Sequence, residues 1–229
     1  MATSGTTTFD LDIDDIIQEA YERCAVRTNS GNDLKSARRS LNILFSEWGN
    51  RGVHLWKVAL KSQALTSGTA TYTAPSSTSD VLEAYISSSS GTTSSTTDVA
   101  LTKISRSDYA AKSNKGATGQ PSEYYVDRQT IPTVTLYQTP NASTYTYLKY
   151  YYMERIEDTG AYTNQADVAF RFIPAMVAGL AYYLSMKINP QLTQQNKMIY
   201  EDELKRALDE DGQRTSVYIT PQSYYPSGS

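Results

Sequence analysis

Ile173 to Met186 reads IPAMVAGLAYYLSM and is apolar nearly all round. A helix with so little polar face has to be enclosed. Nowhere does the chain offer the run of about 18 apolar residues that a membrane span needs, so the enclosure is expected to be protein. The helix is expected to start at about Phe170, with Asp167 as candidate cap and Pro174 in the first turn, where a missing N–H costs nothing. Asn189-Pro190 breaks it.

Three other segments repeat the helical period and can supply the walls. Ile13, Ile16, Ile17, Ala20, Tyr21 and Cys24 share one helix face, with Asp10 or Asp12 as cap and Asp14 and Asp15 in the first turn. Gly31 and Asn32 are expected to end that helix, and Asp33 to open a second. In the second, Leu34, Ala37, Leu41, Leu44, Phe45 and Trp48 form the stripe, closed by Gly49, Asn50 and Gly52. The last helix is expected over about Gln191–Gly212, with Ile199, Tyr200, Glu203, Leu204, Ala207 and Leu208 inward.

Between the helix pairs the period changes. Short β-branched or aromatic runs at Leu55–Val58, Thr69–Thr73, Val81–Ile86, Val99–Ile104, Tyr124–Val126, Thr133–Tyr137 and Tyr145–Met153 are bounded by Pro, Gly, Asn or Asp. They predict about seven strands, with one or two helical turns over Ser105–Ala111. In the last strand Tyr145, Tyr147, Lys149, Tyr151 and Met153 share one face, and Thr146, Leu148, Tyr150 and Tyr152 the other. Tyrosine on both faces predicts that both are covered. The fold class is therefore α+β: a helical bundle from both chain ends (10–52 and 167–212), an inserted antiparallel β domain (53–166) and a flexible N-terminus (1–9).

Ser87 to Thr97 is an almost unbroken Ser/Gly/Thr run, read as a flexible loop between strands. After Gly212 a polar tail carries Val217, Tyr218, Ile219, Tyr224 and Tyr225. That is more apolar surface than a plain disordered terminus carries, so residues 213–229 are read as an extended arm that docks on another subunit.

Composition narrows the function. Nineteen tyrosines against four phenylalanines suit wet sheet faces and protein interfaces. With a net charge of −3 and scattered Lys and Arg there is no basic stripe to neutralise a nucleic-acid backbone. The single cysteine, Cys24, is read as a buried thiol, and no basic-then-apolar leader opens the chain.

The run LKSARRSLNILFSEWGNRGVHLWKVAL from Leu34 to Leu60, then LTKISRSDYAAK, QPSEYYVDRQ, PTVTLYQTP and FRFIPAMVAGLAYYLSMK, resembles the head-to-tail adaptor (tail tubular, or head-completion) proteins of short-tailed bacteriophages. The resemblance spans about Leu11 to Asp211. It implies a virion subunit, assembled in the host cytoplasm, of a ring that is twelve-fold in this family. Such a ring attaches below the portal protein after genome packaging and presents a surface to a tail nozzle or tail tubular protein. DNA would pass through its lumen without specific binding. On this reading the C-terminal arm is expected to dock on the portal.

No catalytic signature competes strongly with this reading. One histidine, His54, cannot build a His-rich metal site, and no Cys/His zinc spacing, nucleophile elbow or phosphate loop occurs, so neither metal nor cofactor is expected. A peptidoglycan hydrolase would need only two carboxylates about 5 to 10 Å apart. Glu154, Glu157 and Asp158, or Glu201, Asp202 and Glu203, are candidates. A carbohydrate-binding module would need an exposed aromatic platform. Arg38 and Arg39 on the second helix are candidates for an inter-subunit contact.

Overall fold

A computed structural model of the chain describes residues 5, 9, 11–27, 31–53, 55–91 and 96–212. Asp10, His54 and the arm residues Val217, Tyr218, Ile219, Tyr224 and Tyr225 lie outside them, as does most of 1–9.

The apolar segment forms α4 (Ile173–Ile188), led in by a 3-10 turn at Phe170–Phe172. Ala175 to Ala181, Leu184 and Ser185 are buried, and Pro174 sits in the first turn as expected. The walls are α1 (Ile13–Arg23), α2 (Gly31–Arg51) and α5 (Thr193–Asp211). Asp167 does not cap α4. Its carboxylate accepts from Lys57 Nζ at 2.6 Å and from the Glu157 N–H at 3.2 Å, a charge-assisted bond that wins over a distant helix end.

On α1 the expected stripe is buried, Cys24 included. Asp12 holds the N-cap position but makes no side-chain cap bond. The N–H groups of Ile13 and Asp14 instead reach the carbonyls of Asn164 and Tyr162, so the segment before α4 caps α1. Helix α2 begins at Gly31, earlier than the expected Asp33, and runs through Gly49. Gly52 ends it at φ +79°, donating to the Gly49 carbonyl while Val53 N–H reaches that of Trp48. The left-handed turn at Gly52 brings these two N–H groups back onto two of the helix's last carbonyls and directs the chain away from the helix axis. Helix α5 buries only Asn196, Tyr200, Leu204 and Ala207; Ile199 and Leu208, expected inside, are exposed because a single narrow stripe faces the bundle.

The strands are β1 (Val58–Ala64), β2 (Thr71–Thr73), β3 (Thr78–Ser87), β4 (Asp98–Lys103), β5 (Thr118–Gly119), β6 (Glu123–Asp127), β7 (Thr133–Tyr137), β8 (Thr139–Pro140) and β9 (Tyr147–Glu154). Seven of them make one sheet in the order β1–β9–β3–β4–β6–β7–β2, and the two short strands β5 and β8 pair apart from it. The large sheet is antiparallel except where β4 runs parallel to β6. A parallel neighbour needs a crossover, and α3 (Arg106–Ala111), opened by a Ser105–Asp108 capping box, lies in that connection.

Leu55–Lys57 is a 3-10 turn, and the first strand runs on through VALKSQA. Its polar content hid it from a propensity reading, yet an edge strand tolerates such residues. On β9, Leu148, Tyr150 and Tyr152 are buried, whereas Tyr151 on the other face is 40% exposed. The expectation that both faces are covered therefore fails at Tyr151. It holds at Lys149, 2% exposed, whose ammonium donates to the Gly91 carbonyl and lies 3.3 Å from Asp98. In the described part of the Ser/Thr run, Ser88 N–H reaches the Thr97 carbonyl at 3.2 Å and Thr97 N–H the Ser88 Oγ at 3.1 Å. Among the described residues no helix is long and apolar enough to cross a membrane.

Candidate assembly surfaces

Two hydrophobic cores, one among the helices and one on the inner face of the sheet, absorb most apolar residues. What they leave outside defines the surfaces on which another protein can act.

On α2, the residues one step off the buried stripe are basic. Lys35, Arg38, Arg39, Asn42 and Tyr162 line an open hollow of about 380 Å³. The Arg38 guanidinium lies over the Tyr162 ring, 5.4 Å from its centroid, which holds a flexible side chain in place. Arg39 is exposed, as its position off the stripe predicts. Lys187, at the end of α4, donates to Ser40 Oγ at 2.6 Å. Burial and then the Arg39 charge push the Lys187 ammonium below the ordinary lysine pKa. Among the described residues, none of these four cations makes an ion pair. The structure thus brings Arg38 and Arg39 into one positive patch.

A second surface lies where the chain enters α4. Phe172 turns inward and packs on Trp56 and Trp48, with ring centroids 4.7 and 5.7 Å away. Phe170 is two residues earlier and faces out, 60% exposed. Phe9 stacks on it at 6.3 Å and is itself 69% exposed. Phe9 also has φ +52°, a backbone region that bulky L-residues avoid at a cost of roughly 1–2 kcal/mol. With Leu11, Ile173 and Pro174 these rings line an apolar hollow of about 450 Å³. From the sequence Phe170 is expected only as a helix start. The missed signal was Phe-Arg-Phe, since in a single tight turn two aromatics so close cannot both face one core.

A third surface is the outer face of the sheet edge. Leu60 pairs with Tyr151 and Val58 with Met153, so all four share one side, and Val58, Leu60 and Tyr151 are exposed.

Most of the carboxylates weighed for hydrolysis are engaged elsewhere. Glu154 accepts from Tyr152 OH at 2.8 Å and Ser77 Oγ at 3.3 Å. Glu201 receives both arms of the Arg51 guanidinium at 2.8 and 2.9 Å, which holds its carboxyl below the usual range, and Asp202 and Glu203 both meet Arg206. Glu157 and Asp158 are exposed beside a cleft of about 270 Å³ lined also by Asn42, Phe45 and Asn50.

The model of one protein family, described as SU10 adaptor protein, matches residues 3–223. No curated protein matches the chain.

Proposed function

The chain belongs to the SU10 adaptor protein family, a bacteriophage structural adaptor, and on that premise we propose that it is a subunit of the ring joining the portal to the tail. The observation that carries this is the family match over nearly the whole chain. Its support comes from surfaces that a solitary globule would not leave open: the exposed apolar sheet edge at Val58, Leu60 and Tyr151, and a basic patch that makes no ion pair among the described residues.

In this reading residues 10–52 and 167–212 form the helical unit that makes most ring contacts. Residues 53–166 form an inserted β unit that faces outward or toward the tail nozzle or tail tubular protein. The ring is homo-oligomeric and twelve-fold, as the resemblance implies, and sits at the head-tail junction of the virion after assembly in the host cytoplasm. A closed ring needs two different faces per subunit, each meeting the other on the next copy. The positive patch around Arg38 and Arg39 suits one such face, because the chain as a whole is acidic. That acidity also suits a conduit: a lumen poor in Lys and Arg gives passing DNA no strong site to hold. Residues 213–229 act as the portal-docking arm through Val217, Tyr218, Ile219, Tyr224 and Tyr225.

Light scattering on the purified chain, alone and mixed with its portal ring, tests this. A multi-subunit complex formed with the portal is the expected result. Absence of association across salt concentrations would reject the adaptor ring and leave a cell-wall lysis assay as the next step.

A further inference from the structure

The apolar hollow around Phe170 lies beside the place where the helical bundle hands the chain to its C-terminal arm. The end of α5 packs on the 3-10 turn at Phe170–Phe172, and Arg171 clamps Asp211 there through its guanidinium. Gly212 therefore leaves the bundle beside the turn that carries Phe170. Residues 213–229 lie outside the described residues, but their sequence places Val217-Tyr218-Ile219 five to seven positions beyond Gly212. At roughly 3.3 Å per extended residue, five residues reach roughly 16 Å, enough to return to the hollow.

We propose that Val217, Tyr218 and Ile219 seat on the hollow formed by Phe9, Leu11, Phe170, Ile173 and Pro174 of the same chain, as an anchor that fixes the direction in which Tyr224 and Tyr225 project. The fit is one of chemistry. The hollow is apolar and ringed by aromatic and aliphatic side chains, and the arm's only run of three consecutive large apolar or aromatic residues is this one. Covering Phe9 and Phe170 removes from water the largest exposed rings near the arm's origin. A segment tethered this closely meets the hollow at an effective concentration of order millimolar, which favours the chain's own segment over that of a free second copy. The inference narrows the arm reading: it gives Val217, Tyr218 and Ile219 to the chain's own hollow, and rests on that reading only in leaving Tyr224 and Tyr225 to the portal. An anchored arm has less freedom to lose when those residues bind, so its docking is the stronger for it.

The test is a cross-link in the isolated chain. Gln165→Cys with Thr220→Cys is treated with a short bismaleimide, and Met198→Cys with Thr220→Cys serves as control. The native Cys24 is fully buried and does not compete. Gln165 borders the hollow beside Phe9, Leu11 and Phe170 without lining it, and Gln165 and Met198 are both exposed, so neither replacement disturbs the core or removes the proposed contact. Met198 stands 13 residues before Asp211, roughly 20 Å up the helix. The expected result is a bridge within one chain that forms several-fold faster in the Gln165→Cys pair than in the Met198→Cys pair, at a rate independent of protein concentration, and that Leu11→Asp slows. Equal rates in the two pairs, or bridging only between chains and rising with concentration, would overturn the anchor. The portal is not part of this measurement, so its failure leaves portal attachment open, and a failure of portal attachment leaves the anchor standing.

Discussion

Trp48 Nε1 donates a hydrogen bond to the Tyr200 hydroxyl at 3.0 Å, and both side chains are fully buried. The bond joins α2, near the start of the chain, to α5, near its end. The same hydroxyl donates to Glu47 at 2.8 Å, and the Arg51 guanidinium lies over the Tyr200 ring. This small network is where the two ends of the sequence become one bundle. Tyr200→Phe removes the acceptor for the indole N–H and a donor to Glu47, and is expected to cost roughly 1–3 kcal/mol. Trp48→Ala also opens a cavity and is expected to cost roughly 3–5 kcal/mol. Urea unfolding of the two variants checks both values, and an unchanged midpoint for Trp48→Ala would remove it from the core.

Gly179 sits where α4 comes nearest to its neighbours. A methyl group there would lie 2.9 Å from both terminal carbons of Leu44 and 2.9 Å from Cε2 of Tyr200. Helix propensity favours alanine over glycine by about 1 kcal/mol. Overpacking typically costs roughly 1–3 kcal/mol, and here Tyr200 cannot yield without disturbing Trp48 and Glu47. Gly179→Ala is thus expected to lower the melting temperature, the opposite of what propensity alone gives. A rise would show that Leu44 and Tyr200 can shift freely.

Much of this bundle is written in the order of apolar residues. The stripes from Ile13 to Cys24 and from Leu34 to Trp48, and the all-round apolar α4, have a period that only enclosed helices satisfy. The sheet was less legible. Strand β1 is polar because it lies at an edge, and the parallel β4–β6 pairing depends on how a crossover packs, which no local pattern records. Of the candidate surfaces, Arg38 and Arg39 could be read because they lie off the α2 stripe. The hollow at Phe170 could not, because it depends on Phe9 and on Ile173–Pro174 converging from distant parts of the chain.

Alkaline pH should unfold the core of the sheet through its tyrosines. Burial pushes Tyr124, Tyr150 and Tyr152 up to about 12, aided at Tyr152 by its bond to Glu154. A group whose folded pKa is raised contributes stability that is complete below its unfolded pKa, near 10, and is lost as pH climbs through the folded value. Each such tyrosine therefore lowers stability by about 1.4 kcal/mol per pH unit between roughly pH 10 and 12. Tyrosinate absorbance and the melting temperature should change together in that window. A gradual titration at pH 10 with no loss of fold would contradict the burial of Tyr124 and Tyr150.

Asp80 governs the acid side. Burial raises the pKa of its carboxyl, but bonds from Arg128, Lys103 and the Val81 N–H outweigh that and hold it below the usual carboxylate range. A depressed pKa contributes stability above the unfolded value, near 4, that is lost as pH falls through the folded one. Both cations are well exposed, so the contribution is modest, roughly 1 kcal/mol at neutral pH. Asp80→Asn is expected to melt lower than the parent at pH 7, with the difference closing below about pH 4. A difference that persists at pH 2 would assign the effect to packing.

Arg38→Glu with Arg39→Glu separates folding from assembly. Neither side chain is in the core; Arg38 rests on Tyr162 and Arg39 points to solvent. The melting temperature is expected to stay close to that of the parent, and to rise if anything, since the double change relieves the repulsion that Lys187 feels from Arg39. If this patch faces an acidic surface on the next copy, reversal places like charges against each other and costs several kcal/mol per contact, repeated around the ring. The variant should therefore remain a folded monomer while the parent forms multi-subunit complexes with the portal, and raising the salt should narrow the gap because screening weakens the repulsion. Light scattering at two ionic strengths reads both effects. A variant that assembles like the parent at low salt would move the ring contact away from α2, toward the exposed edge at Leu60 and Tyr151.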